Sequence, residues 1–371
     1  MSQAAQRRNK LRSQLKKQGL DSILVTDVRN VSYLSGFSGD SSYLFITAKN
    51  AIIISDFRYT QEIADECSDI DSIIRRSTDS MIKVSAKLIH KSGVNNVALE
   101  GDSLPLAIAE KMHTEMPKVN FVTTSGIIEK LREIKSRDEV ALIRKAVYAA
   151  QKAFGVITSS LTKDQTEKEI AFNLEHQIRQ FGGRGTSFDP IVAVGSQAAL
   201  PHATPGNQTI ADADFVLIDW GADYDCYLSD ITRTMVTGKV TAKYRKVYNT
   251  VLQAQQRAIK RIKPGAIMSK IDAAARGHIA NAGYGKYFGH SLGHGIGTYI
   301  HESPRLAENQ HIPLQLGMVV TVEPGIYIDP EDLDIAPQWR GIGVRIEDNI
   351  LVTDHGYRNL TANLPVSVAD I

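Results

Sequence analysis

Residues 215–234 read FVLIDWGADYDCYLSDITRT, and two carboxylates in this stretch decide how the chain is to be understood. Asp219 follows the apolar run Phe215-Val216-Leu217-Ile218, and Asp230 lies between Ser229 and Ile231. Further on, Glu323 ends Val319-Val320-Thr321-Val322, and Glu347 sits in Gly343-Val344-Arg345-Ile346-Glu347-Asp348. His294 is embedded in GHSLGHGIG, residues 289–297. A carboxylate at the end of an apolar strand is costly to bury without a partner. One alone is more often a residue facing water. Four of them with an imidazole in a Gly-rich turn, all in the second half, call for cations. A charge of about −4 is neutralised by two divalent ions, whereas a single zinc site would use fewer ligands with more N or S character. An oxygen-rich set with one imidazole suits a pair of Mn²⁺, Co²⁺ or Zn²⁺ ions.

Around these residues, the chain beyond Gly182 reads as short strands and Gly/Pro-rich turns interrupted by helices over 242–262 and 269–282, an α+β pattern with much antiparallel sheet. Ser136 and Glu139 have capping-box spacing ahead of an apolar-periodic helix to about 154, and Thr166 and Glu169 repeat it ahead of a helix to 181. A domain boundary is placed there, giving units 1–130 and 131–371. The first alternates helices (8–19, 80–91, 106–116) with strands (22–26, 51–55, 96–99, 120–123), the pattern of an α/β domain.

A length of 371 residues exceeds what one core usually organises. With 43 Lys+Arg against 41 Asp+Glu, the chain lacks the cationic excess that drives phosphate binding, so nucleic acid is not expected as a partner. Cys67 and Cys226 are too far apart in sequence for a CxxC motif and read as buried thiols of a reducing cytosol. The basic N-terminus lacks the apolar core of a signal peptide, and no run reaches membrane-spanning length, so a soluble cytoplasmic protein is expected. His90, His113, His176, His278, His311 and His355 have no partner pattern and read as surface or core imidazoles, while His290 stands between that and a supporting role near His294. The Gly residues around His294 lack a P-loop Lys-Ser/Thr pair and read as room for substrate to approach the backbone.

These segments resemble the successive motifs of the Xaa-Pro aminopeptidases and Xaa-Pro dipeptidases (prolidases): DWGA at 219–222 with SDITRT at 229–234, GHGIG at 293–297 with His301-Glu302, EPGIY at 323–327 and GVRIED at 343–348. Residues 30–39 (NVSYLSGFSG) and 56–59 (DFRY) look like the N-terminal domain of aminopeptidase P in particular, and the resemblance covers nearly the whole chain. It implies a C-terminal pita-bread catalytic domain, as in creatinase and methionine aminopeptidase, behind a smaller creatinase-like α/β domain that serves substrate access and dimerisation. It also implies two divalent ions per chain, Mn²⁺ first and Co²⁺ or Zn²⁺ as alternatives, held by Asp219, Asp230, His294, Glu323 and Glu347. His202 and His301 match the two substrate-site histidines, and Arg345 matches a residue that contacts substrate or orients a ligand. A homodimer acting on proline-containing peptides is implied as well.

Two bridged ions lower the pKa of a shared water and hold it as hydroxide against a polarised carbonyl. Glu323 is then the expected proton shuttle, and His202 and His301 the donors to the carbonyl and oxyanion. Because Xaa-Pro is a tertiary amide, a dedicated pocket is useful, and Phe188, Tyr227, Tyr299 and Trp339 are candidates for its wall. The N-terminal motifs favour cleavage at the N-terminus of longer peptides (Xaa-Pro aminopeptidase). The alternative is a dipeptidase, and a non-catalytic peptide-binding relative is more remote, since all five ligand types are retained.

Overall fold

The computed structural model describes residues 2–365. The chain divides into two units, Met1–Arg132 and Glu133–Ile371.

The first unit is built on six strands: β1 (Ser22–Val25), β2 (Tyr43–Thr47), β3 (Ala51–Asp56), β4 (Asp71–Arg75), β5 (Asn96–Glu100) and β6 (Asn120–Thr124), in the order β4-β3-β2-β1-β5-β6. β1 is antiparallel to β2 and parallel to β5. It is buried on both faces because helices cover both. Ile23 and Val25 pack with Leu11, Leu15 and Leu34 from α1 (Gln3–Lys17) and α2 (Val28–Ser35). Leu24, pointing the other way, packs with Leu88, Ile89 and Met112 from α4 (Met81–Ser92) and α5 (Leu106–Glu115). The short helices α3 (Thr60–Glu66) and α6 (Glu129–Arg132) complete this α/β unit.

The Arg58 guanidinium forks onto Asp56 at 2.9 Å, and Tyr59 OH donates to Asp40 at 2.6 Å. Spacing within DFRY favoured the local partner. Cys67 is buried as expected, but Cys226 is only half-buried because it occupies a hairpin turn.

The second unit opens with α7 (Arg137–Ser159) and α8 (Glu167–Gln180), each with the full reciprocal capping box its sequence promised. They cover the antiparallel sheet β8-β9-β12, formed by β8 (Ile191–Val194), β9 (Phe215–Trp220) and β12 (Ile231–Val236); the small sheet beside it joins β7 (Gly185–Thr186), β10 (Ala222–Tyr224) and β11 (Tyr227–Leu228). Trp220 locks helix to sheet, its indole donating to Ala150 O at 3.0 Å while its face stacks on Phe154. A second helix pair, α9 (Ala242–Ile259) and α10 (Met268–Asn281), covers a five-stranded sheet in the order β14-β13-β15-β18-β19. These strands are β13 (Gly293–Gly295), β14 (Glu302–Leu306), β15 (Val319–Val322), β18 (Asp348–Thr353) and β19 (Gly356–Asn359). The ribbon β16 (Gly325–Tyr327) and β17 (Gly343–Arg345) completes the expected α+β architecture. Among the described residues no helix is long and apolar enough to cross a membrane.

Candidate metal centre

Antiparallel pairing of β9 with β12 sets Asp219 opposite Thr232, and Gly221 permits it, since a Cβ there would collide with Ser229 O and Ser187 Oγ. Thr232 is a junction. Its hydroxyl donates to Glu347 Oε2 at 2.7 Å and accepts from Arg345 Nε at 3.0 Å, while its carbonyl accepts from Glu347 N at 3.1 Å. Asp230 sits at the break between β11 and β12, its carbonyl accepting from Asn349 Nδ2 at 2.6 Å. Glu323, at the end of β15, is fixed through its N–H to Leu292 O at 2.9 Å. His294 lies mid-strand in β13, where Gly293 and Gly295 stand too close to Thr321 O and Ser303 O for any Cβ. Those glycines therefore serve the approach of neighbouring protein backbone, which corrects their reading as room for substrate.

The structure brings all five predicted ligands to one cleft of about 940 Å³, together with His202, His301 and Arg345. Ligand atoms of Asp230, His294 and Glu347 lie within 4.8 Å of one another, and all three residues are buried. His294 Nε2 is 3.2 Å from Glu323 Oε1 and 3.5 Å from Asp230 Oδ2. Its Nδ1–H donates to Gly295 O at 3.1 Å, which aims the other ring nitrogen at the carboxylates. Arg345 donates to Asp219 Oδ2 at 2.5 Å and to Tyr327 OH at 2.8 Å. His290 gives its Nδ1–H to Ser291 O, so its Nε2 accepts from Tyr327 OH at 3.1 Å. The chain Asp219–Arg345–Tyr327–His290 thus orients one carboxylate from three residues away.

The electrostatics are those of a cation site. Burial, then the neighbouring carboxylates, push Asp230 and Glu347 well above the ordinary range; burial also raises Asp219 against the pull of Arg345. Burial works against Glu323 too, but the His294 hydrogen bond and charge outweigh it and bring Glu323 down to about 2. Asp219 Oδ1 and Glu347 Oε1 are buried and accept no hydrogen bond. Buried carboxylate oxygens without donors are rare in folded proteins, and a hard or borderline divalent cation is the partner this donor set fits.

Of the expected pocket wall only Phe188 lines the cleft. Tyr227 is buried against Glu139, to which its hydroxyl donates at 3.0 Å, and Trp339 packs beside Tyr284. Tyr299 lies outside the lining, where Ile300 and Tyr327 stand instead. His301 packs edge-on to His294 with ring centroids 4.5 Å apart, and burial lowers its pKa. The sequence reading missed Arg305, an exposed guanidinium on the cleft wall that pairs across the β13–β14 ladder with His294. No signal in the sequence marked it, because only the β13–β14 pairing, which follows a register shift, brings it beside the ligand strand.

Residues 141–354 match the description "Metallopeptidase family M24", and residues 7–134 match "Creatinase/Prolidase N-terminal domain". The chain is 36% identical to an Xaa-Pro dipeptidase of Pyrococcus horikoshii over 93% of each protein. An Xaa-Pro dipeptidase from Bacillus anthracis superposes with a TM-score of 0.91 at 37% identity, covering 98% of each chain. An X-Pro aminopeptidase from Thermotoga maritima superposes with a TM-score of 0.85 at 32% identity, covering 95% of this chain and 99% of the other.

Proposed function

The chain belongs to metallopeptidase family M24, and from that premise we propose that it is an Xaa-Pro dipeptidase. The N-terminal motifs had favoured longer peptides. Relatives named Xaa-Pro dipeptidase, from two genera, support the dipeptide alternative instead. The observation that carries the choice within this chain is Arg305. Arg345 is committed to Asp219 and Tyr327, whereas Arg305 presents an exposed guanidinium beside the candidate ligands. A dipeptide ending in proline places a free carboxylate one residue beyond the scissile carbonyl, and a guanidinium is suited to bind it in a fork.

The donor set supports divalent cations at Asp219, Asp230, His294, Glu323 and Glu347, and the charge of four carboxylates supports two of them, with manganese the first candidate. When bound, they would supply a Lewis acid for the substrate carbonyl and lower the pKa of water. Glu323, ionised and on the cleft wall, takes the proton and returns it to the proline nitrogen. His202 and His301 line the same cleft and donate to the substrate carbonyl as negative charge develops on it. Arg345 holds Asp219 in place.

Steady-state kinetics with Ala-Pro, its amide and Ala-Pro-Ala tests this reading, with the metal content of the protein measured alongside. The free dipeptide is expected to be the best substrate. Arg305→Met should raise KM for Ala-Pro by about tenfold or more, the value of a charge-assisted hydrogen bond, and leave the amide little changed. Preference for the tripeptide would restore the longer-peptide reading, and no cleavage with no bound metal would reject the enzyme.

A further inference from the structure

Outside the groups that face the cleft, the second unit buries an ion pair that the chemistry above does not use. Lys135 Nζ lies 2.8 Å from Glu302 Oε1, with side-chain exposures of 2% and 5%. Taking both charges out of water largely cancels their attraction, so apolar residues of the same volume would stabilise at least as well. The position of the pair gives it another use. Glu302 follows His301 and opens β14. A Cβ at Gly297 would collide with Glu302 Oε1 and meet Lys135 Cε at 3.1 Å, so the pair is the floor beneath the turn that leads from His294 to His301. From the other side the turn is pinned by Leu228 N donating to Gly297 O at 2.8 Å. Lys135 is itself anchored, its N–H donating to Gly317 O at 2.9 Å one residue before the capping box of α7.

We infer that the Lys135–Glu302 pair is a positioning device for His301: Lys135 fixes Glu302, and Glu302 holds the 296–301 turn so that the imidazole stays edge-on to His294 and facing the cleft. What His301 then does to substrate rests on the peptidase reading above.

Removing one partner strands the other charge, so the informative variant removes both. In metal-loaded K135M/E302Q, fold, melting temperature and metal content are expected to stay near wild type. Its kcat for an Xaa-Pro peptide should fall by about tenfold, part of the roughly 10²-fold that losing an oxyanion donor costs, with KM little changed. In a His301→Ala background the same double change should cause no further loss, because its effect passes through His301, whereas independent effects would multiply. A crystal structure of K135M/E302Q should show the His301 ring displaced. Should that variant not fold, Glu302→Asp keeps both charges and withdraws the carboxylate by one methylene, with the same expected displacement and loss of kcat. An unmoved ring, an unchanged kcat, or multiplying losses in the His301→Ala background overturns the inference. A wild type that cleaves no Xaa-Pro bond overturns the peptidase reading instead, and the crystallographic comparison still decides the role of the pair.

Discussion

At the scale of single residues the site separates its carboxylates by environment. Asp230 and Glu347 are held toward the protonated form by burial and by the carboxylates around them, Asp219 and Glu323 for both, while Glu323, equally surrounded, is kept ionised by His294 at 3.2 Å. Pairs of acids pushed in opposite directions mark acid–base machinery, and Glu323 is the member free to carry a proton. Glu323→Gln keeps the shape and removes the basicity. Turnover of Ala-Pro should drop by about 10²- to 10⁴-fold, the usual worth of a positioned general base. The check is kcat with metal content measured on the same sample, and full turnover with metal retained would remove the shuttle role. The five acidic and imidazole positions were legible because each interrupts an apolar run or sits in a Gly-rich turn. Thr232 and Tyr327 were not, since a Thr in a β-branched strand and a Tyr after Gly-Ile are ordinary packing residues until the fold sets them against Glu347 and Arg345.

At the scale of elements the N-terminus of α7 organises the second unit. Ser136 Oγ accepts from Glu139 N at 3.2 Å, the Glu139 carboxylate accepts from Ser136 N at 2.9 Å, and its other oxygen takes the Tyr227 hydroxyl from the hairpin beside Asp230. Ser136→Ala loses one cap bond and is expected to cost about 1 kcal/mol, a fall of roughly 2–4 °C in melting temperature for a unit of this size. Glu139→Ala also removes the acceptor of the buried Tyr227 hydroxyl and should cost more; calorimetry that ranked the two variants the other way would contradict the network. The start of α7 was readable from Ser-x-x-Glu, but its end was placed at 154 and lies at Ser159, because Gly155 carries no capping geometry and Ile157 continues the buried stripe. The β10–β11 turn was unreadable. Asp225 and Cys226 both adopt positive φ, of 52° and 65°, without the Asn-Gly or Asp-Gly pair that announces such a hairpin. Helix α2 also went unread: two serines and two β-branched valines in eight residues have weak helical preference, and it is held by the Asp27 cap and by Gly36 at φ 85°.

At the scale of the whole molecule, metal should act on the second unit alone, and within that unit rising pH should act in opposition to it. All five candidate ligands belong to Glu133–Ile371, so chelation is expected to lower the thermal transition of that unit and leave that of Met1–Arg132 in place. A ligand present at about 100 times its Kd stabilises the state that binds it by about 2.7 kcal/mol, a shift calorimetry resolves. The pH dependence follows from the raised carboxyls. In the metal-free protein Asp219, Asp230 and Glu347 titrate above their ordinary values of 3.8 and 4.5, so between those values and the raised ones the folded state binds more protons than the unfolded state. Stability then falls as pH rises, by linkage. Glu323, lowered to about 2, acts the other way but only below the ordinary carboxyl range. Metal ions compete with those protons, so binding should strengthen as pH rises. The metal-free protein should therefore melt at a lower temperature at pH 8 than at pH 5.5, and the gap between metal-loaded and chelated samples should widen over the same interval. Calorimetric scans at both pH values, with and without chelator, measure all four quantities. A melting temperature indifferent to chelation at both would mean that the buried carboxylates hold no cation.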